Sequence, residues 1–405
     1  MNLLFTHRVY PGQFRNLIEW LSRSNEHQVR FLTRSLHEQP PPCVGVLPYA
    51  PSRDAHPEVH ACLHSTENAI LYGQAAWRAA HQLKEQGFSP EVIIGHSGWG
   101  STLFLRDVFP KAVFLGYFEW FYRSYGSSHH FHPNIPVTAL DEMQIRTKNT
   151  PILMDLVQAR AGITPTQWQR QQFPAEHRHK IAVIHDGVDC DYFSPLPGGL
   201  FLPRMGLDLR QQPKIVTYVA TGMEPMRGFP EFMRAVSLLQ KECPDCHVVV
   251  VGEDRTEYSN PLASGKTYRQ LMLELLPLDT RRLHFVGRLS REEYRQVLRA
   301  STVHVYLTFP FILSWSLLES MACGCLVLGS ATPPVREVIV NGQNGLLVDF
   351  FDVSGMAKKM AAVLADPAAT APMRQAARET VLSRYESGNM LKQQWDFIRQ
   401  GREQR

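Results

Sequence analysis

Residues 309–325 read FPFILSWSLLESMACGC and follow an apolar run, 303–307, that predicts a β-strand. We expect a helix to begin near Ser314 or Ser316, so that unpaired backbone N–H groups and the positive end of the helix dipole face the strand-to-helix turn. Such a turn favours an anion, and the two serine hydroxyls add donors for a phosphate. Glu319, one turn inside the helix, is placed to accept hydrogen bonds from the hydroxyls of a ribose. The stretch therefore predicts a site that holds a diphosphate together with its ribose.

The same stretch also has a purely structural interpretation. In Ser316-Leu317-Leu318-Glu319, the serine and the glutamate have the spacing of a capping box, in which each side chain satisfies a backbone N–H of the other residue. Taken alone, the stretch leaves both interpretations open.

The overall composition is that of a globular protein. The chain has 405 residues, 44% of them hydrophobic and 20% charged, a length that suggests two or three domains. The balance of 42 Lys and Arg against 38 Asp and Glu gives a formal net charge of +4, which is too small and too scattered for a nucleic-acid surface. We therefore expect no nucleic-acid partner, while a weak peripheral contact with a membrane stays open.

The N-terminus and the cysteines bear on location. The chain begins with an apolar stretch, residues 1–5, but turns polar at Thr6, so it has neither the core of a signal peptide nor the length of a membrane span. Seven cysteines, an odd number, fit reduced thiols better than a disulfide framework. The pair Cys243 and Cys246 has no second pair at zinc-finger spacing, which argues against a metal there. We expect a cytoplasmic protein.

Short apolar runs alternate with amphipathic stretches, which is the pattern of parallel sheets covered by helices. We predict two doubly wound, Rossmann-like α/β domains, 1–198 and 199–384, joined at a linker rich in Pro and Gly, 194–200. A terminal helix, about 385–405, is expected to pack back on the first domain. The predicted strands are 3–5, 29–33, 92–96, 113–117, 181–184, 215–220, 247–251, 283–286, 303–307 and 325–328.

In parallel sheets, ligands gather where strands end and loops turn into helices, and the first half offers three such loops. Gly12 precedes a helix and lets the backbone approach a phosphate or sugar, although a simple strand-to-helix turn also explains it. His96 opens the loop after strand 92–96. Glu119 stands among aromatic residues, where desolvation raises the pKa of a carboxylate. Glu119 is therefore either an active-site group or half of a buried ion pair, with Arg123 as the candidate partner.

The second half offers a cation and two glycine turns. Arg227 precedes a helix start, where its planar guanidinium can pair with a diphosphate, although a solvated loop arginine is the plainer interpretation. Gly252 lies at the tip of strand 247–251. Val286 and Arg288 flank a glycine turn at which a base can hydrogen-bond the main chain.

The order of these features resembles the family 4 retaining glycosyltransferases of the GT-B class. The resemblance is strong over 215–366, also takes in 184–189, and is mainly architectural elsewhere in the first half. It implies an α/β GT-B fold, in which two doubly wound Rossmann-like domains face each other across a cleft. The motifs that carry it are Arg227-Gly228, VVVG at 249–252, FVGR at 285–288, LLESMACG at 317–324 and an NGxNGLLV pattern at 341–348.

The resemblance also implies an activity. A sugar would pass from a nucleoside diphosphate sugar donor to a glycan, lipid-linked or protein acceptor, with retention of the anomeric configuration and without a metal or other cofactor. Glu119 and His96 would lie near the reacting sugar and orient hydroxyl groups. The donor would be held by Arg227 at the diphosphate, Glu319 at the ribose, the backbone from Val286 to Arg288 at the base, and the amides near Ser316 and Leu317 at the distal phosphate.

Two departures from the family's pattern stand out. The first glutamate of the E-x7-E pattern falls on Phe311, and a basic residue usual five or six positions before Arg227 falls on Gly222 or Thr221. They motivate an alternative, a catalytically silent relative that binds a nucleotide-sugar or glycan as a regulator or partner subunit. A nicotinamide-dependent enzyme ranks lower, because no G-x-G-x-x-G follows the first strand.

Overall fold

The computed structural model of the protein describes residues 1–24, 26–196 and 198–403. The chain divides into two compact units, the first formed by Met1–Gly187 with the residues from Ser387 onward, the second by Val188–Glu386. The division lies earlier in the chain than the expected boundary at residue 198. Pro197 of the predicted linker and the last two residues of the predicted terminal helix lie outside the described residues.

The first unit contains a parallel sheet in the order β3-β2-β1-β4-β5-β6-β7. Its strands are β1 (Asn2–Tyr10), β2 (Gln28–Leu36), β3 (Val44–Pro48), β4 (Val92–His96), β5 (Val113–Tyr117), β6 (Ala161–Thr164) and β7 (Ile181–Val183). Its helices are α1 (Arg15–Leu21), α2 (His64–Glu85), α3 (Leu105–Val108), α4 (Ala139–Thr147), α5 (Thr150–Gln158) and α6 (Gln167–Gln172).

Both faces of this sheet are buried, because successive side chains of a strand point to opposite faces. Leu4 and Ile93 belong to one apolar cluster, whereas Leu3 and Ile94 belong to a second cluster on the other face. Helix α2 contributes a row of buried alanines to the first of these clusters.

The second unit contains a parallel sheet in the order β12-β11-β10-β13-β14-β15 and a small antiparallel pair, β8 with β9. The strands are β8 (Leu200–Leu202), β9 (Leu207–Leu209), β10 (Ile215–Gly222), β11 (His247–Glu253), β12 (Leu283–Gly287), β13 (Val303–Tyr306), β14 (Leu326–Ser330) and β15 (Leu346–Val348). The helices are α7 (Phe229–Glu242), α8 (Tyr268–Leu275), α9 (Arg291–Arg299), α10 (Trp315–Ala322), α11 (Pro333–Arg336), α12 (Val353–Ala365) and α13 (Ala371–Arg384).

The last helix, α14 (Ser387–Glu403), belongs to the first unit. Ile398 of α14 joins the apolar cluster that contains Leu3, and Gly401 lies so close to Leu115 that an added Cβ would be 2.8 Å from it. The second unit begins with Val188, whose backbone N–H donates a 2.8 Å hydrogen bond to the carbonyl of Tyr385. The first and last residues of the second unit therefore lie side by side.

Every predicted strand has a counterpart in the structure, and the prediction of two Rossmann-like units is confirmed. The prediction missed β3, β6, β8, β9 and β15, which are short or interrupted by Gly and Pro. No helix among the described residues combines the length and the apolar character that crossing a bilayer demands.

Candidate functional site

Arg227 ends a short 3-10 turn, Pro225–Arg227, at the carboxyl end of β10, and Gly228 follows it with a left-handed backbone (φ 67°). The arginine is buried, with 9% of its surface exposed. Its Nη1 donates hydrogen bonds to Oγ1 of Thr308 at 2.8 Å and to the carbonyl of Ile312 at 3.0 Å. The interpretation of Arg227 as a solvated loop arginine is therefore wrong, and its guanidinium is attached to the loop that precedes α10.

The N-terminus of α10 is tied to the same place. Ser314 is the N-cap residue of α10, and its backbone N–H donates a 2.7 Å hydrogen bond to the hydroxyl of Tyr306, the last residue of β13. Burial raises the pKa of Tyr306, while the nearby charge of Arg227 and the hydrogen bond from the Ser314 amide act against that shift. The Tyr306 hydroxyl thus binds the first turn of the helix close to the charge of Arg227.

The capping-box interpretation of residues 316–319 is wrong. Because α10 begins at Trp315 with Ser314 as its N-cap, Ser316 is the second helical residue and cannot be the cap of a box that ends at Glu319. The hydroxyls of Ser314 and Ser316 lie 3.2 Å apart. The backbone N–H of Leu317 lies 3.3 Å from the carbonyl of Ser314. The amides and hydroxyls of this turn are clustered as an anion site requires.

Glu319 is one turn further along α10 and is partly buried. Its Oε2 accepts a 2.7 Å hydrogen bond from the hydroxyl of Tyr294 on α9. The hydrogen bond orients the carboxylate from a neighbouring helix, so its direction does not depend on α10 alone.

One of the two departures from the family's pattern, Phe311, lies beside Arg227. The ring of Phe311 is buried and lies edge-on to the ring of Tyr258, with centroids 5.2 Å apart. The guanidinium carbon of Arg227 is 5.4 Å from the Tyr258 centroid and 6.0 Å from the Phe311 centroid. At Gly222, an added Cβ would lie 2.6 Å from the carbonyl oxygen of Arg255. A basic side chain at position 222 therefore has no room.

The other predicted donor residues lie at the same edge of the sheet, on strands further from α10. Gly252 of β11 has φ 139°, and an added Cβ would lie 2.0 Å from the carbonyl oxygen of Ala220, so the sheet itself requires a glycine there. The side chain of Val286 belongs to an apolar cluster, which leaves only its backbone for a ligand. Arg288 follows the turn at Gly287 (φ 65°) and is exposed.

In the first unit, the structure brings His96 and Glu119 together. Nε2 of His96, at the end of β4, lies 3.3 Å from Oε2 of Glu119 in the loop after β5, a contact whose angle falls outside hydrogen-bond geometry. The side chain of Gln13 donates a 2.7 Å hydrogen bond to the other carboxylate oxygen. Arg123 is exposed, and the ionisable side chain in contact with Glu119 is that of His96 rather than Arg123.

The pKa of Glu119 differs from the expectation. Burial acts to raise the pKa, but the close contact and charge of His96, the charge of His7 and the hydrogen bond from Gln13 together outweigh it, and the net shift is downward. The prediction of a raised pKa is wrong, because the polar neighbours of the carboxylate come from other segments of the chain. Glu119 is a charged carboxylate at neutral pH.

Gly12 supports this cluster. It has φ 55°, and an added Cβ would lie 2.4 Å from Nδ1 of His7, so both the backbone angle and the close approach require a glycine. The ring of His7 lies 4.9 Å from that of His96, and burial, followed by the charge of His96, lowers the pKa of His7 to about 3. Within the first unit, Gly12 thus packs against the histidines, an arrangement that favours the strand-to-helix turn interpretation.

The sequence analysis missed a buried carboxylate beneath the His96 loop. Oδ2 of Asp155, on α5, accepts hydrogen bonds of 2.7 Å from the hydroxyls of both Ser97 and Thr102. Burial raises the pKa of Asp155 to about 7, although both hydroxyls and the Gly98 amide act against the shift. A single acidic residue in the otherwise apolar helix TPILMDLVQ was the signal that could have identified it.

Glu224 was also missed, although it stands three residues before Arg227. It is fully buried, and its Oε2 accepts hydrogen bonds from the backbone N–H groups of Glu257, Tyr258 and Ser259. A glutamate directly before a proline, next to a candidate ligand-binding arginine, was the available signal. Among the residues that the structure describes, no group of three His, Cys, Asp or Glu side chains is arranged to hold a metal ion.

Comparison with solved structures identifies the architecture. Sucrose-phosphate synthase from Thermosynechococcus elongatus superimposes with a TM-score of 0.73 at 19% identity, covering 99% of this chain and 98% of that chain. HepE of Anabaena in complex with UDP-glucose superimposes with a TM-score of 0.68 at 14% identity, covering 99% of this chain and 100% of that chain. At these identities the similarity establishes the fold, which is GT-B.

Comparison with curated sequences gives matches of higher identity that cover about half of the chain. D-inositol 3-phosphate glycosyltransferase of Mycolicibacterium vanbaalenii is 30% identical over 51% of this chain and 46% of its own length. Glycogen synthase of Mycobacterium tuberculosis is 26% identical over 51% of this chain and 45% of its own length. The chain thus spans about half the length of the curated relatives that it matches.

Two family models match the chain in succession. One is described as glycosyl transferase family 4 group and matches residues 25–193, and the other is described as glycosyl transferases group 1 and matches residues 204–380. Together they extend over most of both units, and the motifs around Arg227 and Glu319 fall within the second match. The chain therefore belongs to the family 4, group 1 glycosyltransferases.

Proposed function

We propose that the protein transfers a sugar from a nucleoside diphosphate sugar to a glycan, lipid-linked or protein acceptor, with retention of the anomeric configuration and without a metal ion. One observation carries the proposal. Arg227 is joined to the N-terminus of α10 through the loop that precedes this helix, because Thr308 and Ile312 accept its hydrogen bonds and Ser314 is the N-cap residue of α10. A guanidinium and a helix N-terminus placed together form a binding site for a diphosphate.

The relatives support a nucleotide-sugar donor. The names of the curated matches describe glycosyl transfer, and HepE of Anabaena was solved with UDP-glucose bound. We extend this donor class to the present chain because the family match covers the unit that contains Arg227 and α10.

Each residue of the second unit then has a role toward the donor. Arg227 pairs with the diphosphate, and Glu319 accepts hydrogen bonds from the ribose. The amides near Ser316 and Leu317, with the hydroxyls of Ser314 and Ser316, bind the distal phosphate. The backbone between Val286 and Arg288 binds the base, with Gly252 on the neighbouring strand. These hydrogen-bond donors are already in place before the bond between sugar and phosphate breaks. They therefore stabilise the charge that develops on the leaving phosphate without reorganisation.

Glu119 and His96 are assigned to the reacting sugar or the acceptor. Their support is their mutual distance of 3.3 Å and the lowered pKa of Glu119, which keeps the carboxylate charged. A charged carboxylate can accept hydrogen bonds from sugar hydroxyls and orient them for transfer.

A catalytically silent binder is the second candidate, and Phe311 favours it. The residue replaces a glutamate of the family's pattern, and its buried ring packs against Tyr258 beside Arg227. An apolar ring offers no acceptor to a sugar hydroxyl, so the site could hold the nucleotide without orienting the sugar.

Incubation with a panel of nucleotide-sugars separates the two candidates. A metal-independent transferase is supported if nucleotide is released in the presence of acceptor and EDTA does not reduce that release. A retaining mechanism is supported if the product linkage has the same anomeric configuration as the donor sugar. Thermal stabilisation by UDP or GDP without release across the whole panel supports the silent binder. If the protein shows neither thermal stabilisation nor nucleotide release, both candidates are contradicted.

A further inference from the structure

We propose that Glu224 is a positioning residue of the donor site, whose carboxylate holds residues 254–260 so that the ring of Tyr258 covers the guanidinium of Arg227. Residues 254–260, named here the Tyr258 loop, follow β11 and precede α8. The proposal rests on the proposed function, because Arg227 is the residue assigned to the diphosphate.

The side chain of Glu224 accepts three hydrogen bonds from this loop. Its Oε2 accepts hydrogen bonds from the backbone N–H groups of Glu257 at 3.0 Å, Tyr258 at 2.9 Å and Ser259 at 2.7 Å. Glu224 is fully buried, and burying a carboxylate is costly unless strong hydrogen bonds compensate. Three amides on the carboxylate oxygen Oε2 offset part of that cost, while Oε1 is buried without a hydrogen-bond partner in the described part of the chain, and the three amides fix three consecutive residues of the loop.

Two further contacts hold the loop against the segment that leads to Arg227. The backbone N–H of Met226 donates a 3.2 Å hydrogen bond to the hydroxyl of Ser259. The backbone at Arg255 approaches Gly222 so closely that an added Cβ would lie 2.6 Å from its carbonyl oxygen. The loop and the segment from Gly222 to Arg227 therefore form one packed element.

This packing places the aromatic ring of Tyr258 over the guanidinium of Arg227. The Tyr258 ring centroid lies 5.4 Å from the guanidinium carbon of Arg227, within the range of a cation–π contact. Phe311 packs edge-on against Tyr258 and supports it from the side. Tyr258 nevertheless remains 47% exposed. A diphosphate that reaches Arg227 from solvent therefore meets Tyr258, and the tyrosine hydroxyl can donate a hydrogen bond to it.

The chemistry of Glu224 suggests two informative variants. Glu224→Ala removes the acceptor altogether. Glu224→Gln keeps one oxygen that can face the three amides but removes the charge, and hydrogen bonds to a neutral acceptor are roughly half as strong. Glu274→Gln is a matched control, because Glu274 is a surface residue of the same unit that pairs with Lys266 at 2.5 Å.

Hydrogen exchange on the ligand-free protein tests the first half of the proposal. We expect Glu224→Ala to increase the exchange rates of the amides of residues 257–259 about tenfold or more, Glu224→Gln to increase them less, and Glu274→Gln to leave them unchanged. Protection of these amides that is equal in the wild type and in Glu224→Ala overturns the positioning role, whatever the protein binds.

A double-mutant cycle tests the second half. Dissociation constants for UDP and GDP are measured for the wild type, Glu224→Ala, Tyr258→Ala and the double variant. We expect each single variant to bind its preferred nucleotide about tenfold more weakly, and the double variant to be no weaker than either, because both act through the same ring. If the loss of affinity in the double variant equals the product of the two single losses, the proposal is overturned.

If the wild type binds neither nucleotide, the proposed function fails, and the role of the loop in donor binding fails with it. Hydrogen exchange still decides whether Glu224 holds the loop.

Discussion

The hydroxyl of Tyr294 donates a 2.7 Å hydrogen bond to the carboxylate of Glu319 across the contact between α9 and α10. The carboxylate that we assign to the ribose is therefore oriented before any ligand arrives. This orientation can be removed without touching Glu319 itself.

Tyr294→Phe removes the hydroxyl and keeps the ring. We expect the dissociation constant for UDP or GDP to rise about threefold to tenfold, since a typical hydrogen bond contributes about 1 kcal/mol and the carboxylate loses its orientation. Isothermal titration calorimetry measures the change. Tyr192→Phe is the control, because it likewise removes a tyrosine hydroxyl, and that hydroxyl donates a 3.4 Å hydrogen bond to the exposed Glu292. Unchanged affinity in Tyr294→Phe would contradict the role given to Glu319.

Arg227→Ala tests the diphosphate assignment. We expect the dissociation constant for the nucleoside diphosphate to rise about tenfold or more, because hydrogen bonds to a charged group contribute about 1.5 to 3 kcal/mol. Arg227→Lys should recover only part of the affinity, since an ammonium lacks the planar fork. Calorimetry with UDP and GDP gives the values.

The matched control for Arg227 is Arg210→Ala in the same unit. Arg210 is exposed and pairs with Asp208 at 2.6 Å, so its removal changes the charge equally without altering the site. If both alanine variants bind nucleotide as the wild type does, the assignment of Arg227 is wrong.

The lowered pKa of Glu119 predicts a stability that depends on pH. The folded protein favours the charged carboxylate, so the group stabilises the fold above its usual value of 4.5 and loses that contribution as the pH falls through the folded pKa. We expect the difference in unfolding free energy between the wild type and Glu119→Gln to be constant above about pH 5.5 and to shrink in more acidic solution. Urea titrations between pH 3 and 7 measure it.

His96→Phe identifies the cause of that shift. Without the imidazole, the pKa of Glu119 should rise, because burial then acts with less opposition. Carbon-13 NMR of the carboxyl group reports the titration directly. An identical titration in the wild type and in His96→Phe would show that the contact between the two side chains does not set the pKa.

Asp155 predicts the opposite dependence on pH. Its pKa is raised from 3.8 to about 7, so the folded state holds a proton that the unfolded state has already lost in this range. The stability contributed by Asp155 should therefore fall as the pH rises from about 4 to 7 and stay constant above that. Asp155→Asn does not titrate, so the wild type should lose stability relative to this variant across the same interval. A difference that does not vary with pH would contradict the raised pKa.

The parallel strands were predictable because a strand buried on both faces reads as a continuous apolar run. The runs 92–96 and 113–117 coincide with β4 and β5. Strand β3 contains Gly45 and ends at Pro48, and β6 has only the four residues Ala161–Thr164, so neither forms such a run. The division between the units was not readable either, because it depends on the packing of Val188 and its neighbours rather than on the proline-rich composition that follows.

The position of a candidate residue was predictable where one segment contains its neighbours and not where distant segments meet. Residues 314–319 lie on one helix, and the turn that bears Arg227 precedes another helix, so spacing alone placed them. The downward pKa shift of Glu119 depends on Gln13 and His96, which come from other loops. The hydrogen bonds from the Tyr258 loop to Glu224 likewise span more than 30 residues of chain. Such contacts leave no periodic signal in the sequence.

Val188 and Glu386 form a parallel bridge at the two ends of the second unit. Excision of residues 188–386 would consequently cut the chain at two neighbouring points and release one uninterrupted segment with its termini already paired. The second unit can therefore be removed or replaced as one continuous segment, with two adjacent junctions to preserve.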